Sequence, residues 1–254
     1  NDLIKKCDEI IPIFIFDQNV KLGGASQWWL QNSLEALNNS LIKRNSQLYC
    51  FKGSPLKILD QLVNEYNISN INWNRLYDGY SIDRDSSIKK KLLQKNILIH
   101  SFKGSLINEP WSIKNKSNSF FKVFTPYWNK CLEEIKVIKL HKPPKQIKTF
   151  LIKIPKPILI KNLKLYSKKA EWTKILHSHW TPGEKKALEV FNNFQKNNIN
   201  NYDEGRDRPD KNYTSKLSPY LHFGEISPER IFMEVKKKEI DNIKSKKKFI
   251  AEIG

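Results

Sequence analysis

The chain has 254 residues, 39% of them hydrophobic and seven of them tryptophan, enough for one large core or two ordinary ones. Its net charge of +19 points to a polyanionic partner such as nucleic acid, although AT-rich coding, which favours Lys, Asn and Ile, yields the same balance. The longest apolar run, 10–16, is too short to span a bilayer and no basic-then-apolar leader is present, so the reading is a cytoplasmic protein without a membrane partner.

The first nine residues read as the end of a helix. Residues 10–16, IIPIFIF, then suit a strand buried on both faces, and Leu30, Leu34, Leu37 and Leu41 stand at helical spacing. Residues 47–51 are a second strand. Ser54 caps a helix that Pro55 starts, with Leu59, Leu62, Val63 and Tyr66 on one face. Strands at 68–73 and 97–102 flank a helix at 83–94. This alternation predicts an α/β domain over 1–131 with a parallel, doubly wound sheet. Such a sheet begins with a strand, so a first strand is expected before this stretch. No Gly-x-Gly-x-x-Gly follows a strand, and Gly23-Gly24 reads as a turn.

From 132 to 180 the periodicity fades and Lys and Pro accumulate, as in HKPPK at 141–145 and KIPKP at 153–157. The composition is that of a long surface connection with solvated lysines. His177 and His179 lack a third ligand at useful spacing, so no metal site is assigned. Cys7, Cys50 and Cys131 lie far apart and read as reduced core residues.

An all-helical part is expected over 181–254. Thr181-Pro-Gly-Glu184 has the form of a capping box with proline at the first helical position, and Ala187, Leu188, Phe191 and Phe194 share a face. A polar loop with Tyr202, Arg206 and Arg208 follows. Thr214-Ser215-Lys216-Leu217-Ser218 then forms a hydroxyl-lined turn before Pro219, with Ser218 as the expected N-cap. Exposed N–H groups and hydroxyls at a helix start favour an anion such as phosphate. Gly224 stops that helix, and Ser227-Pro228-Glu229 repeats the cap-then-proline signal.

Taken together, Arg206, the Thr-Ser-x-Leu-Ser turn and His222-Phe223-Gly224 resemble the flavin-binding region of the DNA photolyase/cryptochrome family. Residues 180–184, WTPGE, and 122–126, KVFTP, are similar to the family's other landmarks. The pattern is closest in kind to microbial class I cyclobutane dimer photolyases. On this resemblance the stretch is cut at both ends and inactive by itself. It implies a monomeric carbon-carbon lyase in which an excited, reduced FAD donates an electron to a pyrimidine dimer flipped out of DNA. The alternative is a cryptochrome, a blue-light receptor that signals through a protein partner.

Residue by residue, the resemblance implies that Tyr202, Thr214, Ser215, Lys216, Leu217 and Ser218 bind FAD, Lys216 and Leu217 through backbone N–H. Arg206 aligns with an arginine that touches DNA, the other reading being a salt bridge with Asp203 or Asp207. Glu252 aligns with a glutamate that contacts the lesion. No catalytic side chain is expected within 1–254, and the lesion, cyclobutane or six-four, stays open with a lean to the former. Family members often carry an antenna pigment, a folate or a deazaflavin, in the α/β domain. Tyr80 and Ser81 stand where folate binders have Asn-Glu, so no antenna residue is assigned.

Overall fold

A computed structural model describes residues 2–135, 140–153, 155–167 and 170–254. The elements, in chain order, are α1 (Asp2–Lys6), β1 (Ile13–Phe16), α2 (Gly24–Ile42), β2 (Tyr49–Lys52), α3 (Pro55–Tyr66), β3 (Asn70–Asn74), α4 (Gly79–Leu93), β4 (Leu98–Phe102), α5 (Phe124–Glu134), α6 (Glu171–His179), α7 (Glu184–Asn197), α8 (Tyr202–Gly205), α9 (Ser218–His222), α10 (Pro228–Lys237) and α11 (Ile243–Ile253). Short 3-10 turns occupy Ile160–Asn162 and Ile199–Asn201. By packing, the chain forms two compact units. One is Asn1–Phe102 with His141–Gly183; the other is Lys103–Leu140 with Glu184–Gly254.

The first unit is the expected α/β arrangement. β1 runs parallel to β2, with Ile13 opposite Tyr49, and β3 runs parallel to β4, with Asn70 opposite Leu98. Leu59 and Val63 of α3 and Ile88 and Leu92 of α4 pack beside Ile13, Ile15, Ile71 and Trp73. α4 begins at Gly79 rather than 83, because Asp78 Oδ1 accepts the Ser81 N–H at 2.9 Å and caps the helix. Ser54 sits at the N-cap of α3 without a side-chain bond; Pro55 supplies the start.

Among the described residues β1 bonds only β2, and β3 only β4. β1 is half-buried along its length, with both faces covered as expected: Ile13 and Ile15 pack beside Leu59 and Val63, and Phe14 and Phe16 beside Leu34 and Leu163. Ile13–Phe16 and Ile71–Asn74 border one mostly apolar cleft of about 350 Å³. At its rim, burial alone would raise the Asp17 carboxyl. Hydrogen bonds from the Tyr80 hydroxyl (2.7 Å) and the Asn19 N–H (3.1 Å), with Arg84 at 3.5 Å, hold it below its usual value instead.

The connection expected to run over the surface is tied along this unit, with Lys142, Lys145, Lys148, Lys153 and Lys156 exposed. Thr149 bridges Ile10 in parallel and Ile158 bridges Cys50 antiparallel. Ile152, Leu163 and Leu165 are buried, and the Leu165 N–H donates to Gln31 Oε1 at 3.0 Å. Apolar residues among the lysines made this packing possible. α6 also falls within the stretch, and Nε2 of its His177 accepts the Trp28 indole N–H at 3.1 Å. Residues 136–139, 154, 168 and 169 of that connection lie outside the described residues, as does Asn1. Cys50 is fully buried and burial pushes its thiol up to about 11, whereas Cys7 is only half-buried rather than a core residue.

In the second unit α5 packs Trp128 and Cys131 with Ile107, Ile113, Phe232 and Met233. The expected division at 131 therefore cuts through this cluster. α7 starts at Glu184, and Gly183 has φ +123°, outside helical space, so Pro182 does not stand at the first helical position as expected. The buried face of α7 carries Ala187, Phe191 and Phe194 as expected. Among the described residues no helix is long and apolar enough to cross a membrane, and no three His, Cys, Asp or Glu side chains gather as metal ligands.

Candidate functional site

The polar loop and hydroxyl turn sit within the second unit, held by a small aromatic core. Tyr202 of α8 meets Phe194 of α7 at 5.7 Å and Phe249 of α11 at 5.1 Å, both edge-on, with Phe194 and Phe249 4.7 Å apart. Burial raises the Tyr202 phenol above its usual value, and the Arg206 charge opposes that rise. Tyr202 is therefore chiefly a core residue.

A polar hub fixes α8 to α11. Asn242 caps α11 by accepting the Ser245 N–H at 3.0 Å, and its amide donates to the Asn200 carbonyl at 2.9 Å. Ser245, fully buried, donates to Asp203 Oδ1 at 2.5 Å. That bond, with the Lys244 ammonium at 3.1 Å, holds the Asp203 carboxyl below its usual value. Two residues further on, Gly205 is buried under the Tyr213 ring, which a Cβ there would strike. The ring of Tyr213 thus closes the loop 206–213 back onto α8.

The same docking joins Arg206 to Glu252. The Arg206 Nη1 pairs with Glu252 Oε1 across the α8–α11 contact, and its Nε donates to Asp207 Oδ1 at 3.2 Å. Lys248 reaches the same Glu252 oxygen at 3.9 Å. Both residues expected to touch DNA stand side by side, and Arg206 also has the Asp207 salt bridge read as its alternative.

The turn does not cap a helix in the expected way. α9 opens at Ser218, Leu217 occupies the N-cap position, and no side chain bonds there. The cause is Lys216, whose φ of +54° bends the chain so that Leu217 already has helical torsions and buries its side chain. A left-handed conformation at a residue with a Cβ costs about 1–2 kcal/mol. Ser227, by contrast, caps α10 as expected, accepting the Arg230 N–H at 3.2 Å.

Thr214, Ser215 and Lys216 line a cleft of about 370 Å³ whose other wall is α7, with Lys186, Glu189 and Asn193. Thr214 and Lys216 also line a second cleft of about 350 Å³ with Arg206, Arg208, Asp210 and Lys211. Neither the Thr214 nor the Ser215 hydroxyl meets a hydrogen-bond partner among the described residues. Arg208 spends its guanidinium on Asp210 through two bonds of 2.8 Å, leaving that single acidic residue outnumbered by cations in the second cleft. Unpartnered hydroxyls beside cations fit the phosphates of a dinucleotide such as FAD.

The fold thus gathers Thr214, Ser215 and Lys216 with Arg206 at adjoining clefts, with Glu252 paired to Arg206, and leaves Tyr202 and Leu217 in the core and Ser218 exposed at the start of α9. Lys186, Arg208, Lys211 and Asn212 are lining residues that sequence reasoning did not assign. The charged string RDRPDK signals part of this set; Lys186 carries no sequence signal, since only the packing of α7 brings it there.

A family description, DNA photolyase, matches residues 3–148. The chain is 36% identical over 228 residues to the deoxyribodipyrimidine photo-lyase of Agrobacterium fabrum, covering 89% of this chain and 47% of that protein. It is 30% identical over 239 residues to Cryptochrome-2 of Arabidopsis thaliana, covering 91% of this chain and 39% of that one. Among solved structures, a class III photolyase from Agrobacterium tumefaciens superposes with a TM-score of 0.92 at 34% identity, over 98% of this chain and 52% of that one. The resemblance pointed to class I; that structure is of class III. A photolyase from Sulfolobus tokodaii with two FAD molecules shares the fold, with a TM-score of 0.71 at 22% identity, over 100% of this chain and 53% of that one. The chain spans about half the length of these relatives or less.

Proposed function

From the premise that the chain belongs to the DNA photolyase family, we propose that the whole protein uses blue light and reduced FAD to split pyrimidine dimers in DNA. The observation that carries the reading is the pair of unpartnered hydroxyls, Thr214 and Ser215, beside the cationic clefts. Reduced FAD, when bound, would supply the electron that light drives into the dimer. The residues of this chain bind and orient. Thr214 and Ser215 donate to phosphate oxygens, and Lys216 presents its backbone N–H and its charge; Leu217 and Tyr202 hold the turn and α8 in place from the core. Ser218 contributes at the edge of the turn.

Arg206 takes a DNA phosphate, bidentately by virtue of its planar guanidinium, and Glu252 faces the extruded lesion. The α/β unit serves as the antenna domain, carrying a folate or deazaflavin, and the unit that holds 184–254 opens the flavin-binding domain. The protein acts as a cytoplasmic monomer, and the lesion is the cyclobutane dimer. Similarity to Cryptochrome-2 favours a second reading, a blue-light receptor that signals through a protein partner.

The test is incubation of the full-length, flavin-reduced gene product with an oligonucleotide carrying one cyclobutane thymine dimer, in blue light and in darkness. Repair in light alone is expected. A yellow protein without repair moves the assignment to a six-four enzyme or a cryptochrome, and a colourless one overturns the flavin turn.

A further inference from the structure

The two side chains proposed to touch DNA are paired with each other. Arg206 Nη1 and Glu252 Oε1 form the ion pair, both side chains retain solvent access, and Asp207 adds a second carboxylate to the guanidinium at 3.2 Å. The helices that carry the pair are joined to each other. α8 and α11 are locked by the Asp203–Ser245 bond at 2.5 Å and by the Asn242–Asn200 bond at 2.9 Å, so the backbones of both partners are fixed relative to each other.

We propose that Glu252 determines specificity by occupying Arg206 until a lesion is present; the inference rests on the repair reading above. A plain duplex offers Arg206 a phosphate but offers Glu252 nothing. Taking Arg206 from Glu252 then leaves a carboxylate without its guanidinium beside a polyanion, which costs affinity. An extruded pyrimidine dimer changes both sides of the exchange. Arg206 trades a carboxylate for a phosphate, and Glu252 trades the guanidinium for ring N–H donors of the dimer. Lys248, at 3.9 Å, stands ready to share the Glu252 charge while the exchange proceeds. Discrimination thus comes from a repulsive element against the wrong DNA as well as an attractive one toward the right DNA.

The test measures binding of the full-length, flavin-loaded protein to plain and dimer-bearing duplexes across a salt series, in darkness. Glu252→Gln is expected to tighten plain-duplex binding roughly fivefold, the size of a partly exposed ion pair. The salt slope for plain DNA should steepen by about one phosphate contact, and the preference for the dimer should shrink. Glu252→Ala, which removes the same charge, is measured alongside, and the flavin spectrum reports whether each variant is folded. In an Arg206→Ala background the gain should vanish, and Glu133→Gln, an equal charge change on α5, should give none.

Unchanged or weaker plain-duplex binding by both Glu252 variants overturns the inference while leaving the repair reading intact. So does an equal gain in Glu133→Gln or in the Arg206→Ala background. A wild-type protein that binds both duplexes equally overturns the repair reading, and the inference falls with it.

Discussion

In the α/β unit, the buried side chains of Asp17, Gln31 and Ser46 are consumed by the unit's own structure. Asp17 is held by Tyr80, Asn19 and Arg84, Gln31 receives the Leu165 N–H, and Ser46 bonds Thr149 at 2.5 Å. The helical unit treats its polar residues in two ways. Asp203, Ser245 and Asn242 are spent on docking α8 to α11, while Thr214 and Ser215 keep their hydroxyls for the cleft. Polar groups bonded within the protein rigidify a scaffold; solvent-facing hydroxyls at a surface concavity stay available to a ligand. These residues thus differ in role: those of the α/β unit hold its own elements together, and those of the hydroxyl turn face a cleft.

The largest effect that would sharpen this contrast is in the α/β interior. Trp28 is fully buried and its indole donates to His177, so Trp28→Ala should cost about 3–5 kcal/mol. Urea unfolding checks it, and a loss below about 1 kcal/mol would mean the unit is not packed around this ring. Next comes Gly205→Ala, which drives a Cβ into the Tyr213 ring and should cost about 1–3 kcal/mol. Its expected signature is weakened damaged-DNA binding with an unaltered α/β transition. If both changed together, loop 206–213 would not be a separate element.

Acid should act on both units through similar groups. Asp17 and Asp203 each have a carboxyl held below its usual value, so each contributes stability that is present above the unfolded value near 3.8 and lost as pH falls through the folded one. Asp17→Asn and Asp203→Asn should each flatten the loss of stability between about pH 4 and pH 2. An acid profile identical to that of the wild type would mean that the bonds around the replaced carboxylate carry no net preference for its charged form. Smallest of all, Lys216→Gly should relieve the left-handed strain, raising stability by about 1 kcal/mol or less while leaving the hydroxyls of the turn in place.

The same division explains what could be read from the sequence. Strands β1 to β4 and helices α2 to α4 announce themselves because local periodicity and proline punctuation act over a few residues. The assignment of 103–140 to the helical unit does not, since Ile107, Ile113 and Trp128 find Phe232 and Met233 only through long-range packing. The tie of Thr149 to Ile10 and of Ile158 to Cys50 is equally distant, and lysines around these residues masked it. At the site, Thr214, Ser215, Arg206 and Glu252 were legible as a string that resembles a family. Their geometry was not. Lys216 with φ +54° carries no composition signal, and it is what moves the N-cap from Ser218 to Leu217.

The most direct test of the open turn is flavin content. Full-length protein carrying Thr214→Ala and Ser215→Ala should lose most of its flavin, each charge-assisted bond being worth about 1.5–3 kcal/mol, while its circular dichroism stays that of the wild type. One flavin per chain in that double variant would contradict the account.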